Sequence, residues 1–207
     1  MDERKVGASR ENHSTEIAGE PILVQERNTL WRESKEWLKA FILAVILFFL
    51  IRTFLFAPFI VDGESMAPTL HSGERLIVTK IVYLWGEPQR GDIVIFHATQ
   101  TRDYIKRVIG LPGETVEIRD DRLYINGEEV PEPYLEEYRR KTNEAGLKLT
   151  EDYGPEIVPE GAYFVLGDNR RNSQDSRMIG MIPKEQIVGR ADLVFWPFSS
   201  LRYLGDK

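Results

Sequence analysis

The sequence predicts a mainly β domain carried behind a single N-terminal apolar helix. Short segments rich in β-branched and aromatic residues crowd the chain between residues 75 and 198. Turn signals separate them, and one long apolar run precedes them all. Helical periodicity is weak beyond residue 60, apart from a short helix expected near Glu132 to Arg140.

The expected strands are RLIVTKIVY (75–83), DIVIFHA (92–98), YIKRVIGL (104–111), TVEIRD (115–120), RLYING (122–127), AYFVLGD (162–168) and ADLVFWPF (191–198). GEPQRGD, LPGE, NGEE and PEG mark turns between them. VEIRDDRLYING reads as a hairpin turning near Asp120 and Asp121. Residues 131–160 read as a long, charged excursion from the β core.

Residues 1–36 are polar and mixed in charge, without sustained periodicity, and are expected to form a largely disordered tail, with helix only close to the next segment. WLKAFILAVILFFLIRTFLFAPFIV follows. Ala40 to Ile51 is unbroken apolar sequence, Arg52 interrupts it, and Thr53 to Val61 continues it. The first run falls short of the roughly 20 residues that span a bilayer. The whole stretch suffices if Arg52 snorkels to the outer interface. A transmembrane helix is therefore expected over 37–58. A cleaved signal peptide fits badly, because the preceding region is long and acidic and no A-x-A site follows. A buried core helix would seldom be apolar on every face in a small protein. Arg27, Arg32, Lys35 and Lys39 precede the run, and after Arg52 no basic residue appears until Arg75. That bias predicts a cytoplasmic N-terminus, with residues 59–207 forming an extracytoplasmic domain beside membrane lipid.

Composition narrows the function. The chain has 207 residues, with 27 Lys and Arg against 33 Asp and Glu, a net charge of -6 that argues against a nucleic-acid partner. There are no cysteines, which removes disulfides and thiolate metal sites. His13, His71 and His97 are the only histidines, and none has a close carboxylate in sequence, so no metal is expected.

The octapeptide GESMAPTL (63–70) places Ser65 between a flexible Gly63 and a stiff Pro68. Most serines in such stretches only turn the chain. If Ser65 is a nucleophile, a base must take its proton. His71 and His97 are the usual kind of base, and neither has an acid arranged in sequence to orient it. The strand DYIKRVIG offers another. Tyr104, Lys106 and Val108 share one face, so a lysine lies between apolar neighbours, where lost hydration would lower its pKa. Arg107 keeps its proton and cannot serve. Lys106 could equally snorkel to solvent. GDNRRNSQDSR (167–177) crowds polar residues directly after an apolar strand, a usual place for function. Ser173 and Ser176 could orient a neutral amine, and Asp175 and Arg177 could pair to hold the loop. A solvated surface loop is the plain alternative.

SMAPTL (65–70), RGDIVIF (90–96), YIKRVIGLPGE (104–114) and GDNRRNSQDSR (167–177), in this order after an apolar span, resemble the boxes of type I signal peptidases. The likeness covers residues 37–198 and is closest to the single-span Gram-positive-type form. It implies a β catalytic domain of the signal-peptidase type on one membrane helix in the bacterial cell membrane. It also implies a serine protease with a Ser/Lys dyad and no cofactor or metal, cutting signal peptides from exported preproteins after small residues at A-x-A sites. By position, Ser65 matches the nucleophile, Lys106 the general base, Ser173 the serine that hydrogen-bonds the lysine, and Asp175 and Arg177 the supporting charged pair. Phe59, Val61, Met66, Leu70, Tyr104 and Ile105 fall where the family lines its substrate groove. Some members carry an oxyanion-stabilising serine two residues before the nucleophile; here that position is Gly63. A self-cleaving repressor with a similar dyad would need a DNA-binding domain, which the acidic charge and apolar span argue against. A non-catalytic, membrane-tethered β domain that only binds exported peptides would tolerate loss of Ser65 and Lys106.

Overall fold

The computed structural model describes residues 22–50, 52 and 56–205, and the chain divides into a helical N-terminal unit up to Leu47 and a β unit from Phe48 onward. The N-terminal unit is dominated by α1 (Ile22–Leu50). This helix starts well before residue 37, so residues 22–36, expected as tail, are helical here. Their sequence, ILVQERNTLWRESKE, is rich in helix formers, which accounts for the early start. The apolar side chains from Phe41 to Leu50 are exposed. Among the described residues no helix is long and apolar enough to cross a membrane. The apolar part of α1, Ala40 to Leu50, covers about 16 Å at 1.5 Å per residue. Residues 51 and 53–55 of the expected span, and residues 1–21 of the expected tail, lie outside the described residues.

The β unit is mainly β, as the sequence predicts. Its larger sheet has eight strands: β1 (Phe56–Ile60), β2 (Arg75–Thr79), β3 (Ile93–His97), β4 (Asp103–Gly110), β9 (Ala162–Leu166), β10 (Ile182–Pro183), β11 (Ile187–Trp196) and β12 (Arg202–Tyr203). The order is β1-β2-β11-β3-β4-β9-β10, with β12 on β11, and every described pairing is antiparallel. A second sheet has the order β7-β6-β5-β8, from β5 (Thr115–Arg119), β6 (Arg122–Ile125), β7 (Glu128–Val130) and β8 (Tyr153–Ile157); a short helix, α2 (Val82–Trp85), lies between β2 and β3. β1 corrects the expected helix end at residue 58: Phe56, Ala57 and Pro58 pair with Thr79, Val78 and Ile77 of β2. The apolar run hides this change, because a buried strand and an apolar helix share the same composition.

Turn chemistry sets both hairpins of the small sheet. Arg119 pairs with Arg122 across Asp120 and Asp121, whose φ angles are 49° and 63°. Ile125 pairs with Glu128 across Asn126 and Gly127, at 54° and 85°. Two consecutive positive φ values match the twist of antiparallel strands.

Apolar residues form three clusters. One joins Leu76, Val78, Ile93 and Val194 of the large sheet to Val61, Met66 and Leu70 of the loop between β1 and β2. A second joins Ile109 and Phe164 of the large sheet to Val116, Ile118 and Leu123 of the small one. A third gathers Val94, Phe96, Val108 and Tyr163.

The charged stretch 131–160 is built into the domain. It contains a 3-10 turn (Pro133–Leu135), α3 (Glu136–Glu144) and β8. Glu132, 3 % exposed, is held between two buried guanidinium groups, Arg170 and Arg139, the latter at 2.9 Å. Asp121, in the β5–β6 turn, accepts from the Thr150 N–H at 2.8 Å and lies 3.7 Å from Arg139. Removing one partner of a buried charge network leaves the others uncompensated. Glu132→Ala is therefore expected to cost about 3–5 kcal/mol of unfolding free energy, read by urea denaturation; a cost below about 1 kcal/mol, the level of an exposed pair, would show that the network is solvated.

Candidate active site

Two loops and one strand meet at Ser65. The first loop, residues 61–74, joins β1 to β2. Met66 and Leu70 anchor it: both are buried, and the Leu70 N–H donates to the Met66 carbonyl at 2.9 Å. Its base is closed by Val61 N–H to Glu74 O at 2.8 Å and Gly73 N–H to Val61 O at 2.9 Å. With two large side chains sunk in the core, Ser65 between them and Gly63 has little freedom. Gly63 has φ of +94°, a region side chains avoid, which gives a local reason for glycine at this position.

The strand is β4. Lys106 pairs with Val94 of β3, while Arg107 pairs with Leu166 of β9, so both flanks of this residue pair are sheet. Lys106 is 3 % exposed. Its Nζ lies 2.8 Å from Ser65 Oγ and 2.8 Å from the Ile105 carbonyl, and 5.2 Å from the centre of the Tyr104 ring. Burial disfavours the ammonium and pushes the amine down to about 8, while the negative charges of Asp175 and Asp168 pull it partly back up. Above that pH the neutral amine can accept a proton from a hydroxyl at hydrogen-bond distance.

Histidine does not occupy this position. His97 is exposed and pairs with Asp103, Nδ1 to Oδ1 at 2.6 Å, and His71 Nδ1 lies 3.9 Å from Glu64. So carboxylates do neighbour both rings, contrary to the reading from sequence spacing. Among the described residues, the side chain hydrogen-bonded to Ser65 Oγ is that of Lys106. No group of three or more metal-type ligands occurs among the described residues.

The second loop follows β9 and carries residues 167–177. Asp175 is fully buried and receives Arg177 through Nε at 2.8 Å and Nη2 at 2.9 Å. Asp175 also accepts from the Gly167 N–H at 3.1 Å, and Arg177 Nη2 donates to the Arg170 carbonyl at 2.7 Å. The pair therefore ties the start, middle and end of the loop together. Ser176 Oγ accepts from the Val165 N–H at 2.9 Å and so serves the strand. Ser173 differs from expectation. Its hydroxyl is buried and makes no hydrogen bond, so the expected bond to the Lys106 amine is not formed here.

A cleft of about 310 Å³ opens over Ser65 and Lys106. Phe59, Val61, Met66, Tyr104 and Ile105 line it, as does Gln174, whose Oε1 accepts from the Tyr104 hydroxyl at 2.9 Å. Leu70, expected in the groove, does not line the cleft. It is fully buried with Leu76 and Val194, because it is the inner anchor of the Ser65 loop.

Sequence reasoning missed three contributors. A Cβ on Gly167 would come within 2.5 Å of the Ser65 carbonyl and 2.2 Å of Ser173 Oγ, so only glycine allows the two loops to approach. Asn169 holds the Ser65 loop through its backbone and its side chain. Arg107 forms a buried, two-bond pair with Asp168 at 2.9 and 2.7 Å, directly beside Lys106 in the chain. GDN, opening the second loop, was the available signal for the first two.

Comparison of the sequence with known proteins gives one consistent answer. Residues 34–196 match the family described as signal peptidase, peptidase S26. A Signal peptidase I from Bacillus licheniformis is 52 % identical over 183 residues, covering 87 % of this chain and 98 % of that protein. Signal peptidase I T from Bacillus subtilis (strain 168) is 53 % identical over 169 residues, covering 81 % of this chain and 88 % of that one. The crystal structure of a signal peptidase I from Enterococcus faecalis V583 is 43 % identical, covers 50 % of this chain and 96 % of its own, and gives a TM-score of 0.47. On this match over most of its length, the chain belongs to the signal peptidase family, peptidase S26.

Proposed function

We propose that this chain is a membrane-anchored serine endopeptidase that removes N-terminal signal peptides from exported preproteins after small residues, at A-x-A sites. Ser65 is the nucleophile and Lys106 the general base. The observation that carries this reading is a buried amine, pushed down to about 8, lying 2.8 Å from a loop hydroxyl at the floor of a cleft.

The chemistry follows from the two groups. Ser65 Oγ attacks the scissile carbonyl carbon as its proton passes to the neutral Lys106 amine. The Ser65 N–H meets the oxygen of the tetrahedral intermediate. The C–N bond then breaks, and the new amine leaves with the proton returned by Lys106. Water attacks the resulting ester as Lys106 takes its proton; the C–Oγ bond then breaks, the signal peptide leaves with its new carboxyl end, and Lys106 returns the proton to Ser65 Oγ. Asp175 and Arg177 support the site by closing the loop around it, and Ser173 is close enough to Gly167 to fix how that loop packs.

The substrate fits as an extended segment. β1 is at an edge of the large sheet, and its last residues, with the first half of β4, wall the cleft. An edge can accept a further strand, whose alternate side chains enter pockets beneath it. Phe59, Val61, Met66, Tyr104 and Ile105 line this part of the cleft, and their bulk favours small side chains at the alternate positions that enter it.

The anchor is the apolar half of α1 together with the apolar residues that follow it, the N-terminus being cytoplasmic and the β unit external. The exposed apolar side chains of α1 favour lipid contact.

Ser65→Ala and Lys106→Ala should each reduce cleavage of a purified preprotein by at least about 10³-fold, since the residual catalysis of such sites comes from binding and the oxyanion donor. Lys106→Arg should be equally inactive, because it keeps a cation but cannot accept a proton. Near-normal processing by any of the three, at equal folded protein, would end the Ser/Lys reading. For topology, protease added to intact spheroplasts should degrade the β unit, and full protection of that unit would reverse the orientation.

A further inference from the structure

We propose that Asn169 is a positioning residue that aims the Ser65 N–H as oxyanion donor, and that Tyr138 of α3 fixes the Asn169 amide for this task. The inference deepens the Ser/Lys reading above and rests on it.

Asn169 grips both peptide units around Ser65. Its side-chain Nδ2 donates to the Glu64 carbonyl at 3.0 Å, and its backbone N–H donates to the Ser65 carbonyl at 3.0 Å. The Glu64 carbonyl and the Ser65 N–H belong to one planar trans peptide unit and point in opposite directions. Holding the carbonyl towards Asn169 therefore directs the N–H away from it. Among the described residues, no group accepts from that N–H, so it is left available for an incoming oxyanion.

External control is needed at this point. Gly63, one residue before Glu64, has φ of +94° and open space where a side chain would stand, so on this flank the peptide unit has no side-chain packing to add to the core anchors Met66 and Leu70. The Glu64 carbonyl has one local partner, the Ala67 N–H at 3.1 Å, within the same turn. Asn169 supplies the long-range partner, from a loop pinned by Gly167, Asp175 and Arg177. With no serine hydroxyl at residue 63 to share the charge, the direction of one backbone donor matters more.

Tyr138 gives the amide its sense. Its hydroxyl donates to Asn169 Oδ1 at 3.3 Å. With Oδ1 accepting from Tyr138, Nδ2 faces Glu64; in the flipped amide the hydroxyl could accept from the NH2 instead, but an oxygen would be set against the Glu64 carbonyl, so the two contacts together hold the observed sense. Residues 131–160 thus bear on the Ser65 loop through Tyr138 of α3 and Asn169.

The test uses the full chain, purified in detergent, with a fluorogenic A-x-A peptide and a peptide aldehyde that forms a tetrahedral adduct with serine. Asn169→Ala should lower kcat about 10-fold, less than the 10²–10³ of an oxyanion donor removed outright, with KM within about 2-fold. Tyr138→Phe should lower kcat about 2- to 3-fold alone and not at all in the Asn169→Ala background, because both act through one amide. The aldehyde should weaken in step with kcat/KM across these variants, while binding of the peptide to the same variants in a Ser65→Ala background stays constant. Wild-type kcat in Asn169→Ala, a loss confined to KM, an unchanged aldehyde affinity, or additive effects of the two substitutions would each overturn the inference. Ser65→Ala separates this from the underlying reading: an active Ser65→Ala overturns the dyad and the inference together, whereas an inactive Ser65→Ala beside a fully active Asn169→Ala overturns the positioning alone.

Discussion

A lysine amine kept out of water beside a hydroxyl is the constraint on which the rest of the site depends. Burial favours the neutral form of Lys106, and any free carboxylate nearby would favour the charged form. Two carboxylates, Asp175 and Asp168, do act on the amine. Each is committed elsewhere: Asp168 to Arg107 and Asp175 to Arg177. A carboxylate in a close ion pair presents its neighbour with a dipole rather than a net charge, so its pull on Lys106 is weakened. Among the described residues Lys106 forms no ion pair itself. The two arginines thus have a chemical consequence as well as a structural one. They temper the pull of two acidic neighbours on an amine that burial pushes down to about 8.

The same logic reaches outward. Arg170, which donates to the Gly167 carbonyl, is neutralised by Glu132 from the stretch beyond β7, and Glu132 is shared with Arg139 of α3. Tyr134, from the same stretch, lies over the Arg107 guanidinium at 4.0 Å. A loop that must present buried charges to the site needs counter-charges from behind, and residues 131–160 supply them. The apolar side of the design is simpler. Met66 and Leu70 give the Ser65 loop two anchors in one core cluster, and β4, flanked by β3 and β9, gives Lys106 a fixed backbone. Hydroxyl and amine therefore meet at a distance set by the sheet rather than by flexible side chains.

Much of this was legible in the sequence wherever the cause is local. Alternating β-branched and aromatic residues announced most of the strands, and Asp120-Asp121 announced one tight hairpin; NGEE was read as a turn, but the short strand β7 after it was not. Ser65 and Lys106 stood out because their motifs are specific. What escaped depends on contacts distant in sequence. Asn169 acts on Glu64 across 105 positions, and Arg170 on Glu132 across 38. The need for glycine at 167 comes from the approach of the Ser65 carbonyl, which no local pattern encodes. Leu70 was misread because a residue one turn beyond a site residue can face core or cleft with equal ease. β1 was absorbed into the apolar run before it, since the hydrophobic pattern does not change where helix gives way to strand.

The central claim is that desolvation, not a neighbouring acid or histidine, makes Lys106 the base. The acid limb of kcat/KM against pH reports the free enzyme's base directly. It should be measured with a signal-peptide substrate and accompanied by Asp103→Asn, which removes the acid paired with His97. A limb with an apparent pKa near 8, unmoved by Asp103→Asn, is the result that desolvation of this amine requires. A limb at about 10.4, the value of a solvated lysine, or one that moves with His97, would contradict it.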